Sequence, residues 1–522
     1  MGSASKVQAH RGARRYASRA NHDSGRTRKN AEIGVDLVLS DAQRRTIYAL
    51  STPPGKGGIA VVRISGPDAL EVHRRIVRTS GKNKSGDPEP WKMERCRIMD
   101  PETDEALDDG LAVFFKAPKS FTTEDVLELH VHSGRAIISA VLAALGRLPF
   151  CRPAEPGEFT RRAFEGGRLD LTQAEGVKDL IDAETEVQRR VALQAAGGRL
   201  RNEYAALRQS ILKCLALVEA CIDFGEEDGI DKSVQDDATR RAEALCKDIQ
   251  LLLADSRRGE ILCSGVRLTI WGPPNAGKSS LLNFLAQREA AIVTHIPGTT
   301  RDILELSLDI GGLPVIVADT AGLRNTEDIV EVIGVQRAGE AVKNTDVSLL
   351  VLSLSDILVG SDESTTAAIP EPIARLMTPE TFVLLNKVDL ANAPMHPEEL
   401  LHRQGVKSSG SWAVSLTSKA GTSDFMSQFA AKLRERYSVG ESGPQAAFDA
   451  PVVTHARHRQ HLETALQHLD MFLSYAADDF EGEVVLGAEE LRYAAQAVGK
   501  ISGAIGSEDV LDVIFRDFCI GK

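Results

Sequence analysis

Nowhere in the 522 residues does an apolar run approach the roughly 18 positions that a membrane-spanning helix needs; the densest, Val347 to Leu354, has the length of a strand. Seven cysteines (Cys96, Cys151, Cys214, Cys221, Cys246, Cys263 and Cys519) form no CxxC pair, which argues against a structural zinc site or a disulfide framework. The chain therefore reads as a reduced protein with no membrane span. Acids outnumber bases over most of its length. Net charge is −12, yet residues 1–30 hold eight Lys/Arg against one acid, Asp23, so the remainder carries −19. An acidic body argues against wrapping nucleic acid over the whole surface and leaves room for a local basic patch. The first 30 residues, rich in Arg, Ser and Ala, read as an organellar transit peptide or, alternatively, as a disordered basic tail.

Length predicts three to four domains at roughly 150 residues each. From Thr46 the pattern becomes ordered. Thr46–Leu50 and Ile59–Ser65 read as strands around the turn Pro53-Pro54-Gly55-Lys56-Gly57-Gly58, Gly110–Phe115 and Val126–His132 as further strands, and Ala136–Gly146 as a helix. Ser80–Asp87 reads as a loop. Between Leu169 and Leu262 the pattern turns helical: Leu200, Tyr204, Leu207, Ile211, Cys214, Val218 and Cys221 form one apolar stripe. A similar stripe returns at Leu462, Leu466, Leu469 and Phe472, while Val266 to Tyr437 alternates strands and helices. A helical domain interrupted by an inserted α/β domain follows.

The inserted region opens with an apolar strand, Val266–Trp271, then Gly272-Pro273-Pro274-Asn275-Ala276-Gly277-Lys278-Ser279, then an amphipathic helix. This is the GxxxxGKS phosphate loop in the context that supports it. Backbone N–H groups there can face phosphate at a helix N-terminus, Lys278 can neutralise it, and Ser279 can hold Mg²⁺. The strand Leu313–Ala318 leads into Asp319-Thr320-Ala321-Gly322, whose carboxylate suits a Mg²⁺-bound water and whose glycine N–H suits a γ-phosphate. Asn386-Lys387-Val388-Asp389 ends the strand Thr381–Leu385. An aspartate there can accept from N1–H and the exocyclic amine of guanine, donors that adenine lacks, so the expected nucleotide is GTP. Thr417-Ser418-Lys419, after the strand Trp412–Leu416, fits a backbone cap on the base.

Leu323 stands where Ras-type enzymes carry the glutamine that orients water, so that group must come from elsewhere. Asn275 could support a monovalent cation beside the phosphates, and Glu331 reads either as a water-positioning base or as a solvated loop acid. Residues 290–302 occupy the place of a switch I loop, from which one threonine is expected to complete the Mg²⁺ shell.

Further motifs converge on one family: Thr52-Pro53-Pro54-Gly55, Arg63-Ile64-Ser65-Gly66, Ser120-Phe121-Thr122, Glu124-Asp125-Val126-Leu127-Glu128, Pro156-Gly157-Glu158-Phe159, Gly298-Thr299-Thr300-Arg301-Asp302 and the terminal Cys519-Ile520-Gly521-Lys522. With the phosphate loop continuing through Ser280 and Leu281, the chain from Thr46 to Lys522 closely resembles the MnmE (TrmE) tRNA-modifying GTPases and their mitochondrial counterparts. The resemblance implies a multidomain α/β and α fold: residues 1–45 a transit or disordered segment, 46–166 an α+β domain that binds tetrahydrofolate and dimerises, 167–263 and 438–522 the two parts of a helical domain, and 264–437 a Ras-like G domain. It further implies a homodimer, potassium-dependent dimerisation of G domains that drives GTP hydrolysis, and an FAD-containing MnmG-type partner. Together these add a carboxymethylaminomethyl or related group to C5 of the wobble uridine, position 34, of tRNA. A mitochondrial matrix location follows from the organellar members, a cytoplasmic one from the bacterial members.

Carried over residue by residue, the resemblance places potassium at Asn275, Thr294, Ile296 and Thr299, Mg²⁺ at Ser279 and Thr300, and water activation at Glu331. Folate falls to Arg63, Glu128, Arg168 and Lys522, with the family's required cysteine at Cys519. By pattern alone, Arg63 and Glu128 are ordinary strand charges and Cys519 a buried structural thiol. Two departures stand out: Arg168 replaces a bacterial lysine, and His132-Ser133-Gly134 replaces His-Gly-Gly, which requires negative φ at Ser133 or strain. A ribosome-assembly GTPase would need a basic RNA-binding appendage that the chain lacks after Lys419. A GTP-gated scaffold would tolerate loss of Glu331 and Asn275.

Overall fold

The computed structural model describes residues 45–79, 87–224, 232–288, 292–294, 305–317, 342, 345–359, 366–367, 369–390, 407–437, 451–477, 483–504, 511, 514–516, 518 and 520–521. The chain begins there with a seven-stranded sheet built from β1 (Thr46–Leu50), β2 (Ala60–Ser65), β3 (Val77–Thr79), β4 (Met93–Met99), β5 (Ala106–Phe115), β6 (Val126–Val131) and β7 (Cys151–Pro153), with α1 (Ala69–Ile76) and α2 (Arg135–Gly146) between strands. The spatial order is β3-β4-β5-β6-β2-β1-β7. All pairings are antiparallel except β1 with β7. Because side chains alternate along a strand, Val62, Ile64, Leu127 and Leu129 share one face, where Val72, Ile76, Val141 and Leu145 of the two helices cover them. Arg63, Glu128 and His130 therefore belong to the other face.

Six helices follow: α3 (Glu158–Glu165), α4 (Leu171–Asp182), α5 (Glu186–Ala196), α6 (Arg199–Phe224), α7 (Lys232–Ala254) and α8 (Ser256–Ser264). Capping boxes start α4 at Asp170/Gln173 and α5 at Thr185/Gln188, each satisfying orphan N–H groups. The stripe on α6 is the core-facing one: Leu200, Tyr204, Ile211, Cys214 and Val218 are buried.

The second sheet holds β8 (Val266–Trp271), β9 (Ile292–Thr294), β10 (Glu305–Ile310), β11 (Leu313–Val317), β12 (Val347–Ser353), β15 (Phe382–Asn386) and β16 (Gly410–Ala413), ordered β16-β15-β12-β8-β11-β10-β9. The short strands β13 (Leu358–Val359) and β14 (Thr366–Ala367) pair with each other. Helices α9 (Lys278–Arg288), α10 (Leu354–Ile357) and α11 (Glu371–Ala374) lie between strands in the chain, and α12 (Thr422–Arg436) follows the last of them. The central strands are parallel and buried on both faces, so β12 is apolar almost throughout. The expected strand Trp412–Leu416 begins and ends earlier: Val414 N–H still reaches the Leu385 carbonyl, but Ser415 turns back onto Ala420.

The chain then returns to helix in α13 (Ala456–Ala477) and α14 (Val484–Ser502), which pack with α6 and α7 around Leu462, Leu469, Phe472, Leu491 and Val498. Both flanks of the inserted sheet thus share one core. The two flanks are also joined by the Tyr204 hydroxyl, which donates to the Val452 carbonyl at 2.9 Å. Among the described residues, no helix is long and apolar enough to cross a membrane.

Candidate nucleotide and sheet-face sites

The phosphate loop leaves β8 where the strand order reverses, with β11 on one side and β12 on the other. Crevices at such switch points hold ligands in parallel α/β sheets. Gly277 must be glycine here: φ is 106°, and a Cβ would meet Asn386 Nδ2 at 2.1 Å. The Asn386 amide donates to Ala276 O at 2.9 Å, and its Oδ1 accepts from Leu416 N–H at 3.2 Å. One side chain thereby ties together the glycine-rich loop, the loop 386–389 and the approach to Thr417-Ser418-Lys419.

Lys278 Nζ donates to the carbonyl oxygens of Gly272 and Pro273 at 3.0 and 2.7 Å, and burial lowers its pKa. A half-buried ammonium held by the loop's own carbonyls suits a phosphate, which would supply a full counter-charge. Ser279 and Ser280 are exposed at the start of α9, as is Asn275 in the loop. Asp389 is exposed in the 3-10 turn Val388–Leu390. Of the six non-glycine residues with positive φ among the described residues, Asn275, Lys387 and Lys419 fall in these three loops. Such backbone is costly and persists where surrounding structure fixes it. Ser415 Oγ accepts from Ser418 N–H at 3.1 Å, which fixes the exposed turn 417–419. Thr294 lies in β9, while Ile296, Thr299, Thr300, Asp319, Thr320, Ala321, Gly322, Leu323 and Glu331 lie outside the described residues.

On the other face of the first sheet, where Phe159 of α3 and Phe121 pack on Ile47 and Ala49, Arg63 and Glu128 are cross-strand partners on β2 and β6, joined Nε to Oε1 at 2.9 Å. The Arg63 guanidinium lies 5.2 Å from the Phe121 ring centroid and that of Arg168 5.7 Å from the same ring. Arg168 also donates to the Ser120 carbonyl. Arg63 and Arg168 thus meet at Phe121 with Glu128 bonded to Arg63, and the guanidinium at 168 keeps a positive charge over the ring. Burial works to raise the Glu128 pKa, but His130 and Arg63 outweigh it and hold the carboxyl below its ordinary value.

His130 is a residue that the sequence did not single out. Its Nε2 is buried without a hydrogen-bond partner, 3.7 Å from Glu128 Oε2. Spacing of two along β6 puts both side chains on one face, and that was the available signal. The fourth expected folate residue, Lys522, lies outside the described residues, as does Cys519, but their neighbours are docked on this sheet. Ile520 bridges to Pro156, and Ser51 Oγ donates to Gly521 O at 2.9 Å. Gly521 has φ 93°, and a Cβ there would lie 2.2 Å from Leu50 O.

Ser133 adopts no positive φ, so its replacement of glycine brings no backbone strain of that kind. Its hydroxyl donates to Gly55 O at 2.8 Å and fastens the loop between β1 and β2.

Comparison with known proteins gives a consistent match. The family model for the MnmE helical domain matches residues 171–519, and that for the GTP-binding protein TrmE N-terminus matches residues 46–168. The chain is 46% identical over 482 residues to the tRNA modification GTPase MnmE of Parvibaculum lavamentivorans, covering 91% of this chain and 100% of that protein. It is 42% identical over 483 residues to the mitochondrial 5-taurinomethyluridine-[tRNA] synthase subunit GTPB3 of Danio rerio, covering 91% and 93%. A third relative, the mitochondrial tRNA modification GTPase gtpbp3 of Dictyostelium discoideum, is 37% identical over 496 residues, covering 91% and 95%.

Proposed function

Because the chain belongs to the MnmE (TrmE) family of tRNA modification GTPases, we propose that it hydrolyses GTP to drive modification of the wobble uridine of tRNA. The observation that carries this reading is the pair of hydrogen bonds by which Asn386 donates to Ala276 O and accepts from Leu416 N–H, joining the proposed phosphate loop to the proposed guanine-reading loop. Asp389 is the proposed guanine acceptor. The test is a base switch: Asp389→Asn should lose GTP turnover and gain turnover of xanthosine triphosphate, whose C2 carbonyl needs a donor in place of an acceptor. Unchanged GTP preference would contradict the assignment.

Lys278 would exchange its two carbonyl partners for phosphate oxygens. Mg²⁺, held by Ser279 and Thr300, would supply charge neutralisation between the phosphates. Asn275 with Thr294, Ile296 and Thr299 is the proposed potassium set, and Glu331 the proposed water-positioning residue in place of a glutamine at 323. Asp319, Thr320, Ala321 and Gly322 are proposed to meet the γ-phosphate side, and Thr417, Ser418 and Lys419 the base.

The sheet face is proposed to hold a tetrahydrofolate derivative, with Arg63, Glu128, Arg168 and Lys522 in contact. The unpartnered Nε2 of His130 beside Glu128 fits a polar ligand at this face. Cys519 is proposed to act near it, since its neighbour Ile520 is bridged to Pro156. The active assembly is proposed to be a homodimer working with an FAD-containing MnmG-type protein. The group added at C5 is carboxymethylaminomethyl or a related one. The proposed domains are 46–166, 264–437 and the paired flanks 167–263 and 438–522. The proposed compartment is the mitochondrial matrix, supported by two relatives named as mitochondrial and by the basic residues 1–30.

A further inference from the structure

The β10–β11 hairpin lies between the two segments expected to sense the γ-phosphate, residues 290–302 before it and 319–322 after it. Its turn is Gly311-Gly312, with φ 64° and 90°, between the paired residues Ile310 and Leu313. Asp309 Oδ1 accepts from Gly312 N–H at 2.7 Å and stiffens the turn. Five consecutive residue pairs make the hairpin a firm ladder, so displacement at its open end is delivered to the turn.

The turn abuts the helical region. A Cβ on Gly312 would lie 3.7 Å from Val187 Cγ2, and Val187, half-buried, packs against the core of the nucleotide sheet. The next residue, Gln188, closes the α5 capping box and donates from Nε2 to the Cys263 carbonyl at 3.2 Å. Cys263 is in the last turn of α8, which leads into β8. The N-terminus of α5 thus meets the nucleotide sheet's core through Val187 and the end of α8 through Gln188.

From α5 the contacts continue without a gap. Gly176 of α4 runs so close to α5 that a Cβ would lie 2.5 Å from Ala196 N. Glu175 is bonded to both Arg457 nitrogens Nε and Nη2 at 3.0 Å and to His458 Nε2 at 2.8 Å, fixing α4 to α13. The first turn of α4, with Leu171 and Ala174, packs with Leu511, Phe515 and Phe518. Those aromatics lead to Ile520 and Gly521 on the first sheet.

We propose that Val187 is a positioning residue for the modification reaction: through it the β10–β11 turn moves α5 and α4, and with them the C-terminal tail on the first sheet. Val187 touches neither proposed ligand site. This rests on the reading of the chain as a GTP-driven enzyme, because the hairpin needs a nucleotide-dependent displacement to transmit.

The test is hydrogen exchange by mass spectrometry on the full chain, with GDP and with a non-hydrolysable GTP analogue, following peptides from α4 and residues 511–521. The wild type should show exchange rates that differ between nucleotides by roughly fivefold or more. Val187→Ala should bring that difference below about half while GTP affinity stays within roughly twofold, and Val187→Ile should restore it. A purely structural role would raise exchange equally in both nucleotide states. An equal rise in both states, a difference that survives Val187→Ala, or a GTP-bound wild type with no difference would each overturn the inference. Failure of the wild type to bind GTP would instead remove the reading beneath it.

Discussion

The side-chain amide of Asn386 donates to the carbonyl oxygen of Ala276 at 2.9 Å, joining the base-side loop to a phosphate loop 110 residues earlier. Its other end accepts from Leu416 N–H, so both polar atoms of a buried amide are used. Asn386→Ala leaves a buried carbonyl and a backbone N–H without partners, at a cost of about 1–3 kcal/mol for each unsatisfied group. The expected result is roughly tenfold or greater loss of GTP affinity with the fold intact, measured by titration with a fluorescent GTP analogue.

Arg168 gives a graded prediction. Its guanidinium both lies over Phe121 and donates to Ser120 O. Arg168→Lys keeps the charge and loses the planar contact, so binding of a tetrahydrofolate derivative should fall by a few-fold; Arg168→Ala should cost roughly tenfold or more. Equilibrium dialysis of both variants checks the order, and equal binding by all three proteins would contradict the site.

The C-terminal tail is predicted to be indispensable for modification and dispensable for hydrolysis. Gly521→Ala forces a Cβ to within 2.2 Å of Leu50 O at a φ of 93°, so the tail must leave its seat beside Ser51. Modified wobble uridine should fall at least roughly tenfold in cells, while the GTP turnover of the purified chain stays within about twofold.

Stability should depend on acid through His461. Burial, aided by Arg457 and Lys500, lowers its pKa to about 4 from the ordinary 6.5. The unfolded chain therefore binds a proton that the folded chain refuses, so stability falls as pH drops from about 6.5 towards about 4. His461→Gln removes that contribution, and its melting temperature should drop less than that of the wild type between pH 7 and pH 5. Nearby His455 works in the opposite sense: burial opposes its charge, but Asp179 and Glu175 raise its pKa, so its contribution is lost as pH rises.

The nucleotide loops were legible because their chemistry is local. A glycine-rich turn between an apolar strand and a helix constrains backbone N–H groups whatever surrounds it, and the strand Val266–Trp271 has the expected bounds. The long stripe on α6 was legible for a similar reason, since periodicity needs no partner to be seen. Features made by distant residues were not. Arg63 and Glu128 are 65 positions apart, and only the β2–β6 register makes them a pair. Glu175 and Arg457 are 282 apart; a lone acid on a helix reads as solvated until the return of α13 buries it. The strand β4 was hidden by its outward-facing Arg95 and Arg97 and by Glu94 on the opposite face, which give Met93–Met99 a polar composition. Ser133 looked like a departure needing explanation, and its bond to Gly55 supplies one.

The central claim is that GTP binding at Lys278 drives tRNA wobble-uridine modification. Its most direct test is nucleoside mass spectrometry of mitochondrial tRNA from cells whose only copy carries Lys278→Ala. The account predicts loss of the C5-modified wobble uridine, with the unmodified nucleoside in its place. Full retention of the modified nucleoside, with GTP binding abolished in the purified variant, would contradict it.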